Sequence, residues 1–306
     1  MEVLALQESG TASIAGFRDA GVCLIVVTAC CVTARFADSS TRGSRRIIID
    51  DILSLLALTL LVCYAALNYV SANDLQHPDN PNVTIGYFAQ KCLTLTLVAG
   101  FAMYFAKTPI LVLYLKLFGI KTWLRVASYT TLTLSFIIFL ITLSIAGAAC
   151  SHTSEVDMNF LEKCITTSVS VGVSNGATAV ITDIIVIILP LPIIAGLKLP
   201  LYKKIGLAIV FLTGIFAIAA SAISLYFKAM SLAGHSTALA PTLFCTIIEC
   251  SLAIMVGCAP ALRSCWAKYG KKTSLYPKVQ SALVYFRTPR SAESHKPEGQ
   301  DYMELP

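Results

Sequence analysis

Residues 126–149 read VASYTTLTLSFIIFLITLSIAGAA and contain no charged side chain. A helix of roughly 20 residues crosses the roughly 30 Å hydrocarbon layer of a bilayer, so this run is long enough to span it. Backbone N–H and C=O groups find no water in that layer and must bond within their own segment. The stretch is therefore predicted to be a membrane-spanning α-helix.

Six further runs share this length and apolar character, and the seven predicted spans are 14–34, 52–73, 92–115, 126–149, 166–195, 205–227 and 238–262. With 56 % hydrophobic and 13 % charged residues, the 306-residue chain has too little polar surface to cover a water-exposed globule. We expect an all-α, polytopic membrane protein built as a seven-helix bundle. The pattern does not distinguish the plasma membrane from an internal membrane.

Basic residues occupy alternate connections between these runs. Eighteen of the 23 Lys and Arg residues fall on one side, in segments 35–46, 116–125 and 198–204 and from residue 263 onward, whereas the other side has only Arg18, Lys91, Lys163 and Lys228. Cytoplasmic loops are enriched in Lys and Arg. The amino terminus is therefore predicted to lie outside and the carboxyl terminus in the cytoplasm.

This topology divides the chain into three parts. Residues 1–19 are predicted to form a short extracellular amino terminus, 20–265 the seven-helix domain, and 266–306 a mostly disordered basic cytoplasmic tail, because the tail has little apolar area to bury. A net charge of +6 would suggest nucleic acid in a soluble chain, but here the basic residues flank helix ends. We therefore expect membrane lipids, and no nucleic acid, as partners.

Three ionisable residues interrupt the apolar runs: Lys107 in the third, Asp183 in the fifth and Glu249 in the seventh. A charge at mid-bilayer costs about 2.5–3.5 kcal/mol on insertion scales, so such a residue is expected to face the bundle interior with a partner. Counting about 1.5 Å per residue puts all three near one depth, which permits Lys107 to pair with either acid. The pattern fits equally a polar centre that binds a ligand and an interhelical tie.

Asp50 and Asp51 open the second run at its predicted cytoplasmic end. Carboxylates stabilise a helix amino terminus by about 0.3–1 kcal/mol each, and Arg45 and Arg46 are close in sequence. The favoured interpretation is a capped helix with a solvated ion pair.

Three of the eleven cysteines are disulfide candidates. Cys150 and Cys164 flank the predicted outer loop between helices four and five, and Cys92 lies at the outer mouth of helix three. A bridge among them is expected to form because that side is oxidising. Asn82, in Asn82-Val83-Thr84, is a glycosylation candidate on the same side.

Catalytic and metal-binding patterns are scarce. His77, His152, His235 and His295 lie in predicted loops or in the tail, without the helical spacing of a zinc site. The chain has no glycine-rich phosphate loop and no nucleophile elbow. We expect no catalytic residues, no metal and no enzymatic activity.

Several short motifs occur in order along the chain, and these are Asp50-Asp51, Lys107-Thr108, Tyr114-Leu115-Lys116-Leu117-Phe118, Cys150 with Cys164, Thr182-Asp183, Leu189-Pro190-Leu191-Pro192, Lys204-Ile205-Gly206, Gly214-Ile215-Phe216, and Glu249 followed by Pro260, Leu262 and Arg263. In this order they resemble the fungal rhodopsin-domain integral membrane proteins, which include the Pth-type receptor-like proteins of filamentous fungi. The resemblance covers roughly 20–265. It departs at Ser224, where an Arg is expected near the end of helix six.

The resemblance implies a receptor-like protein but not a retinal protein. A retinal Schiff base needs a lysine that faces the pocket from helix seven, and the run 238–262 has none; Lys107 is the only amine predicted at membrane depth. No cofactor is therefore expected. Coupling to a G protein or another cytoplasmic effector is implied only by analogy of architecture.

A first functional hypothesis and its alternatives follow from the sequence. The first is a sensor in which a small or apolar ligand biases helix positions and so the cytoplasmic loops. The alternative is a transporter or membrane component of a secondary-metabolite pathway, or a structural membrane protein. Ligand binding and substrate flux would distinguish them.

Overall fold

Seven long helices make up the computed structural model, which describes residues 2–40, 45–76, 85–118, 122–151, 158–189, 191–192, 201–234 and 239–269. They are α1 (Glu2–Ser40), α2 (Arg45–Gln76), α3 (Ile85–Phe118), α4 (Thr122–Cys150), α5 (Met158–Ile188), α6 (Leu201–Leu232) and α7 (Leu239–Tyr269). Within these described ranges there is no strand.

Each helix contains a segment long and apolar enough to cross a membrane. These segments are Arg18–Ala37, Ile49–Asp74, Gly86–Leu113, Thr122–Cys150, Met158–Ile188, Phe211–Leu232 and Pro241–Ala259. The predicted all-α, seven-helix membrane architecture is confirmed, and so is the prediction that the chain is a multi-pass membrane protein. The side of the membrane on which each terminus lies stays a prediction.

The helices pack mainly against their sequence neighbours. α2 packs against α1 and α3, α3 against α4 and α5, and α5 against α4 and α6. In α3 and in α7, half of the helix's own membrane-capable segment is buried, whereas in α4 the buried share is 17 %. The buried halves of α3 and α7 therefore offer positions at which a charge faces protein rather than lipid.

α4 illustrates how the bundle faces lipid. Its buried side includes Ser128, Thr131, Thr142 and Ala146, whereas large apolar residues are exposed, and these are Leu134, Phe136, Ile137, Leu140, Ile141 and Ile145. This is the reverse of a soluble helix. Small residues let membrane helices approach closely, and Leu or Ile is as stable against acyl chains as against protein.

We call the end of the bundle that carries Cys150 and Cys164 the disulfide end, and the opposite end, where α1 meets α2, the Arg35 end. The disulfide end is the predicted outer side. The fold divides into one compact unit over 1–263 and a second over 264–306. Of the second, residues 264–269 are helical and the others lie outside the described residues, as does most of the predicted tail 266–306.

Candidate functional site

Lys107 of α3 forms a close ion pair with Asp183 of α5. The Nζ of Lys107 lies 2.8 Å from Asp183 Oδ2 and also donates a 2.8 Å hydrogen bond to the carbonyl of Ala179, one turn earlier on α5. Ser221 of α6 donates a 2.5 Å hydrogen bond to the same carboxylate oxygen. Asp183 therefore joins three helices.

Glu249 of α7 lies between two lysines. Its Oε1 is 3.6 Å from Lys107 Nζ, and its Oε2 is 3.6 Å from the Nζ of Lys228 on α6. Lys107 thus lies near both of the acids that its depth in the membrane permits as partners. A second amine, Lys228, joins the same group. We call Lys107, Asp183, Lys228 and Glu249 the charge cluster; all four side chains are buried.

The Lys228 side chain extends into the bundle interior past a glycine of α5, which has no side chain to block it. Gly176 of α5 faces the stem of Lys228, and a Cβ on Gly176 would lie 3.3 Å from Lys228 Cδ. The Nζ also lies 3.9 Å from the sulfur of Met103 on α3. The apolar stem packs between helices while the ammonium group lies against Glu249.

The charge cluster is neutral but incompletely hydrogen-bonded. Two ammonium groups balance two carboxylates, which offsets part of the large cost of removing charges from water. Within the described ranges, however, both Glu249 oxygens are buried without a hydrogen-bond donor, because a separation of 3.6 Å is too long for a hydrogen bond. Buried carboxylate oxygens in this state have unused capacity to accept hydrogen bonds.

A cavity of about 550 Å³ extends from the disulfide end toward the charge cluster. We call it the main cavity. It lies between α2, α3, α5, α6 and α7, and its wall is largely apolar, with Phe88, Leu95, Leu161, Ile165, Val169 and Leu243. Lys228 and Asn175 line its inner part. Its size and its few polar groups are typical of small-molecule sites.

A polar contact joins α2 and α3 where the main cavity nears the disulfide end. Tyr87 donates a 2.9 Å hydrogen bond to Asp74, and Lys91 Nζ lies 3.5 Å from the same carboxylate oxygen and 5.1 Å from the centre of the Tyr87 ring. All three residues line the cavity. This contact ties the two helices together at its mouth.

Arg35 forms a second buried ion-pair site, at the opposite end. Its Nε lies 3.0 Å from Asp51 Oδ1, its Nη2 lies 3.7 Å from Asp50 Oδ2, and its Nη1 donates a 2.7 Å hydrogen bond to the carbonyl of Gly257. The three residues are at most 5 % exposed. The guanidinium thus links α1, α2 and α7.

The structure corrects the expected role of Asp50 and Asp51. α2 begins at Arg45, so both acids lie in its second turn rather than at its first residues. Both acids are buried, and both pair with Arg35 of α1. The planar guanidinium can contact both carboxylates and a carbonyl at once. The two acids therefore join α2 to α1 inside the bundle rather than form a solvated cap.

At the disulfide end, the Cys150–Cys164 bridge is confirmed. It joins the end of α4 to the start of α5 and packs on Ala89 of α3. Cys92 is free and lines the main cavity. Asn82 and the four histidines lie outside the described residues.

Lys228 and Arg35 are not predicted as site residues from the sequence, because both are counted among the loop cations. Lys228 lies inside the membrane-capable segment of α6, so Lys107 is not the only amine at membrane depth. A signal was present: Ser221, Ser224 and Lys228 lie three and four residues apart and share one helical face. All three are buried.

Seven membrane-capable helices around buried charges define a polytopic membrane protein of the seven-helix class. The sequence profile of the fungal rhodopsin domain matches residues 34–268, and the chain belongs to that family. No curated protein and no solved structure matches the chain.

Proposed function

We propose that this protein is a receptor-like sensor in which a small, mainly apolar ligand occupies the main cavity. The observation that carries the proposal is the cavity itself: about 550 Å³ of largely apolar space that reaches a buried ammonium group, Lys228. Ligand sites commonly combine apolar walls with a few polar groups that orient the ligand. We expect no catalytic step and no retinal.

The charge cluster offers a way for occupancy of the cavity to alter helix positions. A ligand group that contacts Lys228 changes the interaction between α6 and α7, because Lys228 pairs with Glu249. Glu249 also contacts Lys107, so the change reaches α3 and α5. A ligand shifts the equilibrium only as far as its affinity differs between the two arrangements.

The cytoplasmic side of the proposed sensor is the Arg35 end. α7 connects the two sites, since Glu249 belongs to the charge cluster and the Gly257 carbonyl, about two turns further, accepts the hydrogen bond from Arg35. A displacement of α7 would alter the contact that Arg35 makes between α1, α2 and α7. This contact lies on the same side as the Lys- and Arg-rich loops that are predicted to be cytoplasmic. A G protein or another effector is proposed there by analogy of architecture alone.

The test is a thermal-shift panel of small apolar molecules on the full chain in lipid nanodiscs. A true ligand raises the melting temperature with saturation, because it binds the folded state. Gly172→Phe should abolish the shift: Gly172 lines the main cavity, and nothing lies within 4 Å of its Cβ position. Gly147→Phe is the matched control, since Gly147 of α4 also has open space but does not line the cavity.

Two outcomes would contradict the proposed sensor: no saturable shift across the panel, or shifts that Gly172→Phe leaves intact. Gly147→Phe should retain every shift, because position 147 does not line the cavity.

The transporter alternative has one observation in its favour. A smaller cavity of about 50 Å³ lies between α3, α4 and α5, shares Gly100, Met103 and Asn175 with the main cavity, and continues along α3 to Leu111. Two cavities in series past Lys107 could form part of a passage. Flux of a bound ligand into sealed proteoliposomes, lost in Gly172→Phe, would favour transport over sensing.

A further inference from the structure

We infer that the main cavity takes an uncharged amphiphile, whose one polar end carries an oxygen that accepts hydrogen bonds from Lys228 and Asn175. The inference rests on the proposed function and narrows it to a ligand class. The apolar body of such a ligand would lie along α3 and α5 toward the disulfide end.

Charge balance argues against a charged ligand. The charge cluster already holds two cations and two anions, and at the mouth Asp74 is paired with Lys91. A carboxylate bound at Lys228 would leave one buried negative charge without a counter-charge, which is costly in an apolar site. An ammonium ligand would meet the like charge of Lys228.

The inner part of the cavity offers hydrogen-bond donors. Lys228 Nζ has three N–H groups, and within the described chain its contacts are the sulfur of Met103 at 3.9 Å and Glu249 at 3.6 Å. Neither is a short hydrogen bond to oxygen. Asn175 accepts a 3.0 Å hydrogen bond at Oδ1 from Thr142, which leaves its amide N–H groups as donors. A ketone, ester or hydroxyl oxygen complements these groups.

The length of the cavity bounds the apolar body. Lys91, near the mouth, and Met103, near the charge cluster, both line it and are twelve residues apart on α3. At about 1.5 Å per residue this is a depth of roughly 18 Å. An extended chain of about a dozen carbon atoms, or a rigid ring system of similar length, fits that depth.

The experiment compares four molecules of equal chain length, 2-dodecanone, dodecane, dodecanoate and dodecylamine, on the full chain in nanodiscs. The readout is the rate at which N-ethylmaleimide alkylates Cys92, followed by mass spectrometry of the peptides. Cys92 is a free thiol that lines the cavity. Cys63 of α2 is free, exposed and does not line it, so its alkylation rate reports any general effect of partitioning into the bilayer.

We expect 2-dodecanone to slow alkylation of Cys92 at a concentration at least ten-fold lower than the other three require, with Cys63 unchanged. Lys228→Met should reduce the ketone to the potency of dodecane, whereas Lys228→Arg should retain the preference because it keeps the charge and the donors. If Lys228→Met does not fold, the ketone-to-dodecane comparison in the unaltered protein decides.

The inference is overturned if dodecanoate or dodecylamine protects Cys92 best; the proposed sensor would then survive with a charged ligand. It is also overturned if none of the four molecules protects Cys92 from alkylation. In that case the separate thermal-shift panel still tests the proposed function. Ergosterol in the nanodisc, itself uncharged with one hydroxyl, distinguishes the source: protection by ergosterol supports a ligand from the bilayer, and protection by the ketone alone supports one from solution.

Discussion

Lys228 of α6 and Glu249 of α7 place opposite charges 3.6 Å apart inside the bundle, where each residue is at most 5 % exposed. Lys107 contacts the other oxygen of the same carboxylate. Four helices therefore share one group of charges at the inner limit of the main cavity. The stability of the fold and the response to a ligand depend on the same residues.

Asp183→Asn should destabilise the protein strongly. The substitution leaves the cluster with two ammonium groups and one carboxylate, and breaking a buried pair in this way costs about 3–5 kcal/mol. Thermal unfolding in detergent measures the loss. Asp19→Asn is the control: Asp19 and its partner Arg18 are both exposed, so this variant should unfold as the unaltered protein does. Equal melting temperatures for the two variants would contradict a buried pair at Asp183.

Arg35→Lys should also lower the melting temperature, although it preserves the charge. A lysine cannot contact Asp51 and the Gly257 carbonyl in the fixed geometry of a guanidinium. Loss of one hydrogen bond to a charged group costs about 1.5–3 kcal/mol. The matched substitution Arg18→Lys, at an exposed position, should have no measurable effect. If both variants melt like the unaltered chain, Arg35 does not tie the three helices.

Cys150→Ser should reduce stability through loss of the bridge to Cys164. The two residues are 14 apart in sequence, and closing a loop of that size stabilises by about 3 kcal/mol in the chain-entropy model. Dithiothreitol should lower the melting temperature of the unaltered protein and leave that of Cys150→Ser unchanged. Cys92→Ser, which removes a free thiol, should keep the sensitivity to dithiothreitol.

Two glycine substitutions should act in opposite directions. A Cβ on Gly214 of α6 would lie 2.9 Å from both Cγ1 and Cδ1 of Ile187 on α5, so Gly214→Ala forces these helices apart and should cost about 1–3 kcal/mol. Gly147 has nothing within 4 Å of that position, and Gly147→Ala should gain up to about 1 kcal/mol from helix propensity. Melting temperatures that move in the same direction would contradict the close α5–α6 packing.

The sequence was sufficient to predict the seven helices and three members of the charge cluster. Apolar runs of membrane length are unambiguous, and Lys107, Asp183 and Glu249 interrupt them at depths where a charge is costly. Lys228 was missed because it lies four residues from the end of α6, where a lysine can extend to the membrane surface. Its inward direction depends on Gly176 of another helix, and that neighbour is not visible in the sequence.

Arg35 is hard to predict for a similar reason, because it lies near the end of α1, although it shares a buried face with Thr28 and Val32. The main cavity had no sequence signal at all. It is a gap lined by side chains of five helices, and the way those helices pack is not encoded in any one motif.

The double substitution Lys228→Met/Glu249→Gln, compared with each single change by thermal unfolding, tests most directly whether these residues form one balanced interior cluster. Each single change leaves an unbalanced buried charge, while the double change removes one of each sign and keeps the Lys107–Asp183 pair. We expect the double variant to melt above both singles, with a coupling energy of about 1–3 kcal/mol. Losses that simply add would contradict the buried pairing of Lys228 with Glu249.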